Sequence, residues 1–108
     1  MSHTQYETCI HACHECVSAC EHCLSACLLE DDVKMMVRCI ELDQDCADLC
    51  SLATRFMARG SKYIAKICDL CAQVCQECGD ECNKHTMEHC QQCAQACYRC
   101  AEECRKMA

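Results

Sequence analysis

The chain has 108 residues, a formal net charge of −7, two glycines and no proline. This charge argues against nucleic acid as a partner, because neutralising phosphate groups requires a surplus of lysine and arginine. At this length we expect a single domain over residues 1–108. The shortage of helix-breaking residues favours an all-α fold.

The sequence shows no signal for export or for a membrane. The first residues lack a basic region followed by an apolar stretch, and no segment approaches the roughly 20 apolar residues of a membrane span. We therefore expect a cytoplasmic protein. Thiols stay reduced in the cytosol, so 19 cysteines indicate metal binding rather than a disulfide framework.

The first two helices are separated by an acidic turn. Helix 1 is predicted at about residues 4–29, before the acidic residues 30–32. Asp31 or Asp32 is expected to cap helix 2 by accepting hydrogen bonds from the free amides at its start. Helix 2 then runs to about Ala58.

The third and fourth helices follow short breaks of a similar kind. Gly60 is expected to end helix 2, and Ser61 is expected to cap helix 3, which runs to about Asn83. A turn at 83–86 leads to helix 4 over about 87–106. Such short connections join antiparallel neighbours, so we predict an up-down-up-down four-helix bundle with a cysteine-lined core.

The cysteines recur within each helix in steps of mainly three and four residues. These steps keep side chains on one stripe of a helix, the a and d positions of a heptad, so each helix directs a ladder of thiols to one side. The candidate metal ligands are Cys9, Cys13, Cys16, Cys20, Cys23, Cys27, Cys39, Cys46, Cys50, Cys68, Cys71, Cys75, Cys78, Cys82, Cys90, Cys93, Cys97, Cys100 and Cys104.

Packing alone does not account for this ladder. A buried cysteine is usually a small hydrophobic residue, which would explain one or two of these positions. Leucine, isoleucine or valine would bury more apolar area, worth about 25 cal/mol per Å², and would stabilise the fold better. We conclude that the sulfur atoms are present for their chemistry.

The charge of the loaded core helps to distinguish the metals that soft thiolates prefer, which are Cu(I), zinc and iron–sulfur clusters. Zinc sites with four cysteines would each carry a net charge of −2 into the interior, which is costly. One Cu(I) per thiolate replaces one proton and leaves the core neutral. We therefore favour a non-catalytic protein that stores Cu(I).

Two alternatives remain open at this stage. A zinc buffer would use discrete four-cysteine sites. An iron–sulfur or thiol-redox electron-transfer protein is less favoured, because ferredoxin cysteines sit in loops, often followed by proline. The thioredoxin-like pattern of alternating strands and helices is also missing from the sequence.

One end of the predicted bundle collects metal-binding side chains other than cysteine. The turns between helices 1 and 2 and between helices 3 and 4 lie at the same end, which brings together Met35, Met36, His85, Met87 and His89. Thioethers and imidazoles can transfer copper, so we predict that ions load through this end, with His85 and His89 as ligands.

The opposite end and the outer surface have simpler interpretations. Bulky side chains are predicted to close the core at the opposite end. They are Tyr6, Phe56, Met57, Ile64, Ile67 and Met107. The remaining histidines fall off the cysteine stripe or near the terminus and are expected on the surface. They are His3, His11, His14 and His22.

Asp43 occupies an a position between Cys39 and Cys46, where helix 2 lacks a cysteine. One interpretation is that it faces the core as a polar ligand or proton acceptor near the metals. The alternative, which we favour, is that it rotates outward to pair with a lysine or arginine.

The cysteine-rich tract from Cys68 to Cys82, followed by His85 and by the tract from Cys90 to Cys97, resembles the cytosolic copper storage proteins of bacteria. The resemblance covers nearly the whole chain. It implies a four-helix bundle that stores many Cu(I) ions along its core. It further implies a homotetramer, with copper uptake near histidines at one end and all nineteen cysteines as candidate ligands.

Overall fold

The computed structural model describes residues 3–108, except for the side chain of His3. Within this range the chain forms four α-helices and no β-strand, which confirms the all-α prediction. Short 3-10 helices precede the first two. The α-helices are α1 (Glu7–Cys27), α2 (Val37–Arg59), α3 (Ile64–Cys82) and α4 (Glu88–Met107).

The four helices pack as an antiparallel bundle. Helix α1 packs against α2 and α4, and α3 packs against the same two helices. The direction of α4 is opposite to that of α1, because Cys9 at the start of α1 lies near Cys104, and Cys20 lies near Cys93. The body measures 49 × 17 × 17 Å. The predicted up-down-up-down topology is confirmed.

Gly60 ends α2 as the sequence predicts. It has a φ of 67° and a ψ of 41°, the left-handed conformation that glycine adopts without steric cost. Its N–H donates to the carbonyl of Met57, and the N–H of Ser61 donates to the carbonyl of Phe56. This pair of bonds satisfies carbonyl groups that the end of the helix would otherwise leave free.

The predicted side-chain caps of α2 and α3 are wrong. A 3-10 helix over Val33–Met36 separates Asp32 from α2, and Asp32 makes no capping hydrogen bond with its side chain. The Ser61 hydroxyl accepts from the N–H of Tyr63, the residue before α3 begins. Such short polar side chains bind the backbone two residues ahead and stabilise a turn rather than a helix start.

The end of the bundle remote from the α1–α2 turn is closed by apolar side chains. Met57 and Ile64 are buried. The other four predicted residues, Tyr6, Phe56, Ile67 and Met107, are half-buried and pack against the core. This arrangement agrees with the sequence-based prediction for this end.

The outer surface of the bundle carries the charged residues. Exposed ion pairs link neighbouring helices, for example Arg38 to Glu77 at 3.6 Å and Arg99 to Glu15 at 3.6 Å. Such pairs contribute little to stability. None of the helices within residues 3–108 combines the length and apolar character required to cross a bilayer.

Helices α3 and α4 approach closely at Gly79. A Cβ atom at this position would lie 2.7 and 2.9 Å from two ring atoms of Tyr98. The Tyr98 hydroxyl donates a 2.7 Å hydrogen bond to Asp80, which holds the ring in place. A glycine inside a helix costs up to about 1 kcal/mol relative to alanine, and close packing against the ring explains its presence here.

We predict that the effect of Gly79→Ala on the free energy of unfolding changes sign with the residue at position 98. In the wild-type background the substitution should lower the free energy of unfolding by about 1 kcal/mol, because overpacking outweighs the gain in helix propensity. In a Tyr98→Ala background it should raise that free energy by a similar amount. Urea unfolding of the four proteins of this cycle measures both effects, and equal signs would contradict the prediction.

Candidate metal centre

All nineteen cysteines lie in the interior of the bundle. Each is a free thiol, and none is more than 1% exposed. The steps of three and four residues along each helix keep the sulfur atoms on the inward stripe. The predicted ladder is therefore present on all four helices, and sulfur occupies the place that aliphatic side chains take in an ordinary bundle.

The sulfur atoms of different helices lie next to one another. The Cys39 and Cys82 Sγ atoms are 3.3 Å apart, and so are those of Cys46 and Cys75, which join α2 to α3. The Cys16 and Cys46 Sγ atoms, 3.5 Å apart, join α1 to α2. These distances far exceed the roughly 2.05 Å of a disulfide bond. They are short enough for one small ion to contact two sulfur atoms.

The sulfur atoms form overlapping groups of four along the core. In each group all ligand atoms lie within 4.8 Å of one another. Four residues, Cys16, Cys20, Cys46 and Cys97, each belong to at least two groups. Further groups are formed by Cys13, Cys71, Cys100 and Cys104 towards the closed end, and by Cys23, Cys27, Cys39 and Cys90 towards the other end.

This overlap favours bridging metal ions over separate sites. A structural zinc ion takes four ligands for its two positive charges, so discrete zinc sites would require groups that share no cysteine. Cu(I) accepts thiolates that bridge to the next ion, and its single charge matches one thiolate. The interior of the bundle is thus a continuous column of sulfur rather than a set of discrete zinc sites.

Burial opposes ionisation of the core thiols, whereas hydrogen bonds from neighbouring thiols lower the pKa of some of them, such as Cys68. Burial raises the pKa of Cys27, and it raises the pKa of Cys90 to about 11, because a thiolate loses its hydration in the core. Copper binds the thiolate, so an ion that enters the core must displace protons. Metal affinity should consequently increase as the pH rises.

Asp43 lies in the core, and the expectation that it rotates outward is wrong. It is wholly buried, and its Oδ1 atom accepts hydrogen bonds from the thiols of Cys78 at 3.2 Å, Cys93 at 3.3 Å and Cys82 at 3.6 Å. Its Oδ2 atom lies 3.8 Å from the Cys39 sulfur. These donors satisfy the carboxyl oxygens, which removes the need for an external cation.

The environment of Asp43 favours the neutral carboxylic acid. The pKa of Asp43 is raised from 3.8 to about 11, first because burial removes the hydration of the carboxylate and then because thiolate charge on Cys93, Cys78 or Cys39 would repel it. A protonated carboxyl group carries no charge into the apolar core. This explains how an acidic residue occupies a heptad a position.

His89 lies against the sulfur column at the end where the α1–α2 and α3–α4 turns meet. Its Nδ1 atom is 3.4 Å from the Cys23 sulfur and 3.6 Å from the Cys90 sulfur. Its Nε2 atom is 2.9 Å from a carboxylate oxygen of Glu30. His89 is thus the histidine that the structure brings into contact with the cysteines.

The other residues predicted at this end have different environments. The His85 Nε2 atom lies 3.1 Å from Glu81, and among the described residues His85 makes no hydrogen bond to a sulfur atom. Met36 is wholly buried, Met87 is half-buried against the core and Met35 is exposed. The methionines predicted to lie together at this end are therefore separated, with Met36 and Met87 at the core and Met35 outside it.

Three of the remaining histidines lie on the outside of α1. His11, His14 and His22 are exposed, as the sequence predicts. The side chain of His3 lies outside the described part of the chain. Glu30 was not predicted as part of this site, because its only signal in the sequence was its place in an acidic turn.

The sequence matches a copper storage family and a cysteine-rich bacterial protein. The family model described as copper storage protein (Csp) matches residues 2–108. Among curated proteins, the uncharacterised cysteine-rich protein YhjQ of Bacillus subtilis (strain 168) is 50% identical over 83 residues, which cover 77% of each chain.

Solved structures show the same fold with copper bound. The Cu(I)-bound copper storage protein BsCsp3 is 50% identical, with a TM-score of 0.91 over 94% of this chain and 96% of its own. A cytosolic copper storage protein from Streptomyces lividans, with five coppers, is 38% identical, with a TM-score of 0.90 over 94% of this chain and 89% of its own. On its sequence and on its fold, this chain belongs to the copper storage protein family.

Proposed function

We propose that this protein stores Cu(I) in the cytosol by binding many cuprous ions to the cysteine thiolates of its core. The role is storage rather than catalysis, as membership of the copper storage family supports. Each ion that binds displaces protons from buried thiols, so the loaded core approaches neutrality. Bridged thiolates also keep the ions away from reactive groups outside the bundle.

The observation that carries this proposal is the overlap between the four-sulfur groups. Sharing of Cys16, Cys20, Cys46 and Cys97 joins neighbouring groups, so adjacent ions can be bridged by the same thiolate. Discrete zinc sites would need groups that share no cysteine, and an iron–sulfur protein would need four cysteines reserved for each cluster. Cu(I) is the cargo that fits a continuous column.

The proposed ligands are the nineteen cysteines named in the sequence analysis together with two histidines. His89 is the histidine that contacts sulfur, and His85 lies farther from the sulfur atoms at the same end. We propose that ions load at this end, because bulky apolar residues close the other one. Met36 and Met87 supply thioether groups along the same route.

We propose a single domain over residues 1–108 that assembles as a homotetramer in the cytoplasm. The proposed assembly and location rest on the resemblance to cytosolic copper storage proteins rather than on the geometry. A cytosolic copper storage protein from Streptomyces lividans supports the location.

An anaerobic titration with Cu(I) tests the function. Reduced protein should compete with a chromophoric chelator until it holds on the order of one ion per thiolate, because each monovalent ion is balanced by one sulfur charge. The protein should also take up more copper at pH 8 than at pH 6 at the same free Cu(I), since protons are released. Saturation near four equivalents would instead indicate discrete sites and would contradict the proposal.

A further inference from the structure

A carboxylate at the loading end determines which nitrogen of His89 faces the core. Glu30 follows α1, in a turn held by hydrogen bonds from the N–H of Leu29 to Ala26 and from its own N–H to Cys27. This turn carries the Glu30 side chain across the end of the bundle to α4. There its Oε2 atom lies 2.9 Å from His89 Nε2, across 59 residues of sequence.

The chemistry of this contact fixes the tautomer of a neutral His89. An ionised carboxylate can only accept hydrogen bonds, so the Nε2 atom must carry the proton. In a neutral imidazole the other nitrogen then has a free lone pair. That nitrogen, Nδ1, is the one that lies 3.4 Å from Cys23 and 3.6 Å from Cys90.

We infer that Glu30 is a positioning residue for copper uptake, which holds His89 so that the Nδ1 lone pair faces the incoming Cu(I) beside Cys23 and Cys90. A carboxylate behind a ligating histidine orients the ring and makes it a more basic ligand. The inference rests on the proposed loading of Cu(I) at this end. Glu30 would act on uptake through His89 and would not bind the metal itself.

The burial of the pair supports this role. The side chain of His89 is 12% exposed and that of Glu30 is 31% exposed, so the hydrogen bond is partly shielded from water. The ring of His22 lies nearby, with ring centroids 6.5 Å apart and ring planes at 88°. The hydrogen bond to Glu30 therefore holds the ring of His89 in the orientation that faces the sulfur column.

The protein also contains a comparable pair that does not touch the column. Glu15 lies 3.7 Å from His11 on the exposed face of α1. Replacing Glu15 removes the same charge from the surface without altering the loading end. Glu15→Ala is therefore the matched control for Glu30→Ala.

The experiment combines NMR with uptake kinetics on the full-length protein. In Glu30→Ala, the imidazole ¹⁵N shifts of the reduced apo protein should show a population of the Nδ1–H tautomer of His89, which the wild type lacks. Uptake of Cu(I) from a bicinchoninate complex should slow about tenfold, as is typical when the partner of a ligating histidine is lost. The final copper content should be unchanged, and Glu15→Ala should match the wild type in every measurement.

The outcomes separate this inference from the proposed function. A wild-type tautomer and a wild-type uptake rate in Glu30→Ala would overturn the role of Glu30. If His89→Ala also loads at the wild-type rate, loading through His89 is itself wrong. A low copper capacity in the wild type would contradict storage, whatever the rates. Slow uptake in both His89→Ala and Glu30→Ala, with full capacity, supports the inference.

Discussion

Copper loading should raise the melting temperature of the reduced protein by about 15 °C or more. A ligand that binds the folded state stabilises it by about 4 kcal/mol when its free concentration is a thousand times its dissociation constant. For a chain of about 100 residues, each kcal/mol shifts the melting temperature by about 4–8 °C. Further ions in the column add to the effect of the first.

The apo protein is expected to have low stability. Its core consists largely of cysteine, which buries less apolar area than leucine or isoleucine at the same position. Bound copper compensates for this smaller hydrophobic stabilisation by linking helices to one another. Neighbouring sulfur atoms such as those of Cys39 and Cys82 belong to different helices, so an ion between them joins both. An unfolded chain also binds Cu(I) but cannot bring such distant thiols together without an entropic cost.

Circular dichroism under nitrogen measures this effect. The helical signal should be lost at a much higher temperature in the loaded protein than in the apo protein. Removal of copper with a strong Cu(I) chelator should restore the lower melting temperature, which shows that the change is reversible. Equal melting temperatures for the two forms would mean that the ions bind at the surface and not between the helices.

The topology and the core could be predicted from the sequence because the signals were local and repeated. Steps of three and four residues place the cysteines on one face of each helix, and every helix repeats the pattern. Gly60 indicated the end of α2, because the left-handed backbone conformation at a helix end favours glycine. These features depend on positions close together in the sequence.

Features that depend on tertiary contacts could not be predicted in this way. Asp43 occupies a position that the heptad placed in the core, but the cost of burying a carboxylate favoured an exposed side chain. Three thiols from α3 and α4 donate to its Oδ1 atom, and the sequence does not reveal that they converge there. Glu30 was interpreted as part of a turn because its partner His89 lies 59 residues away.

The buried carboxyl group of Asp43 should make the apo protein less stable as the pH rises. Its folded-state pKa is raised to about 11, against 3.8 as the reference value. Between these values the folded chain holds one more proton than the unfolded chain, so its stability falls by about 1.4 kcal/mol per pH unit. The stabilising contribution is complete below pH 3.8 and is lost as the pH rises towards 11.

Asp43→Asn should remove this pH dependence. Asparagine has the same shape as the protonated acid but no titrating proton. At pH 7 the substitution should stabilise the apo protein by on the order of 2–4 kcal/mol, because asparagine avoids the free energy needed to protonate Asp43 on folding. The weaker hydrogen bonds of the amide offset part of this gain.

Urea unfolding of the reduced apo protein at pH 5, 6, 7 and 8 measures these slopes. Asp45→Asn is the matched control, because Asp45 is an exposed aspartate on the same helix and should leave the wild-type slope unchanged. Parallel curves for wild type and Asp43→Asn would show that Asp43 is ionised in the folded apo protein. The opposite dependence is expected for copper affinity, which rises with pH, so alkaline conditions both weaken the empty bundle and favour its loading.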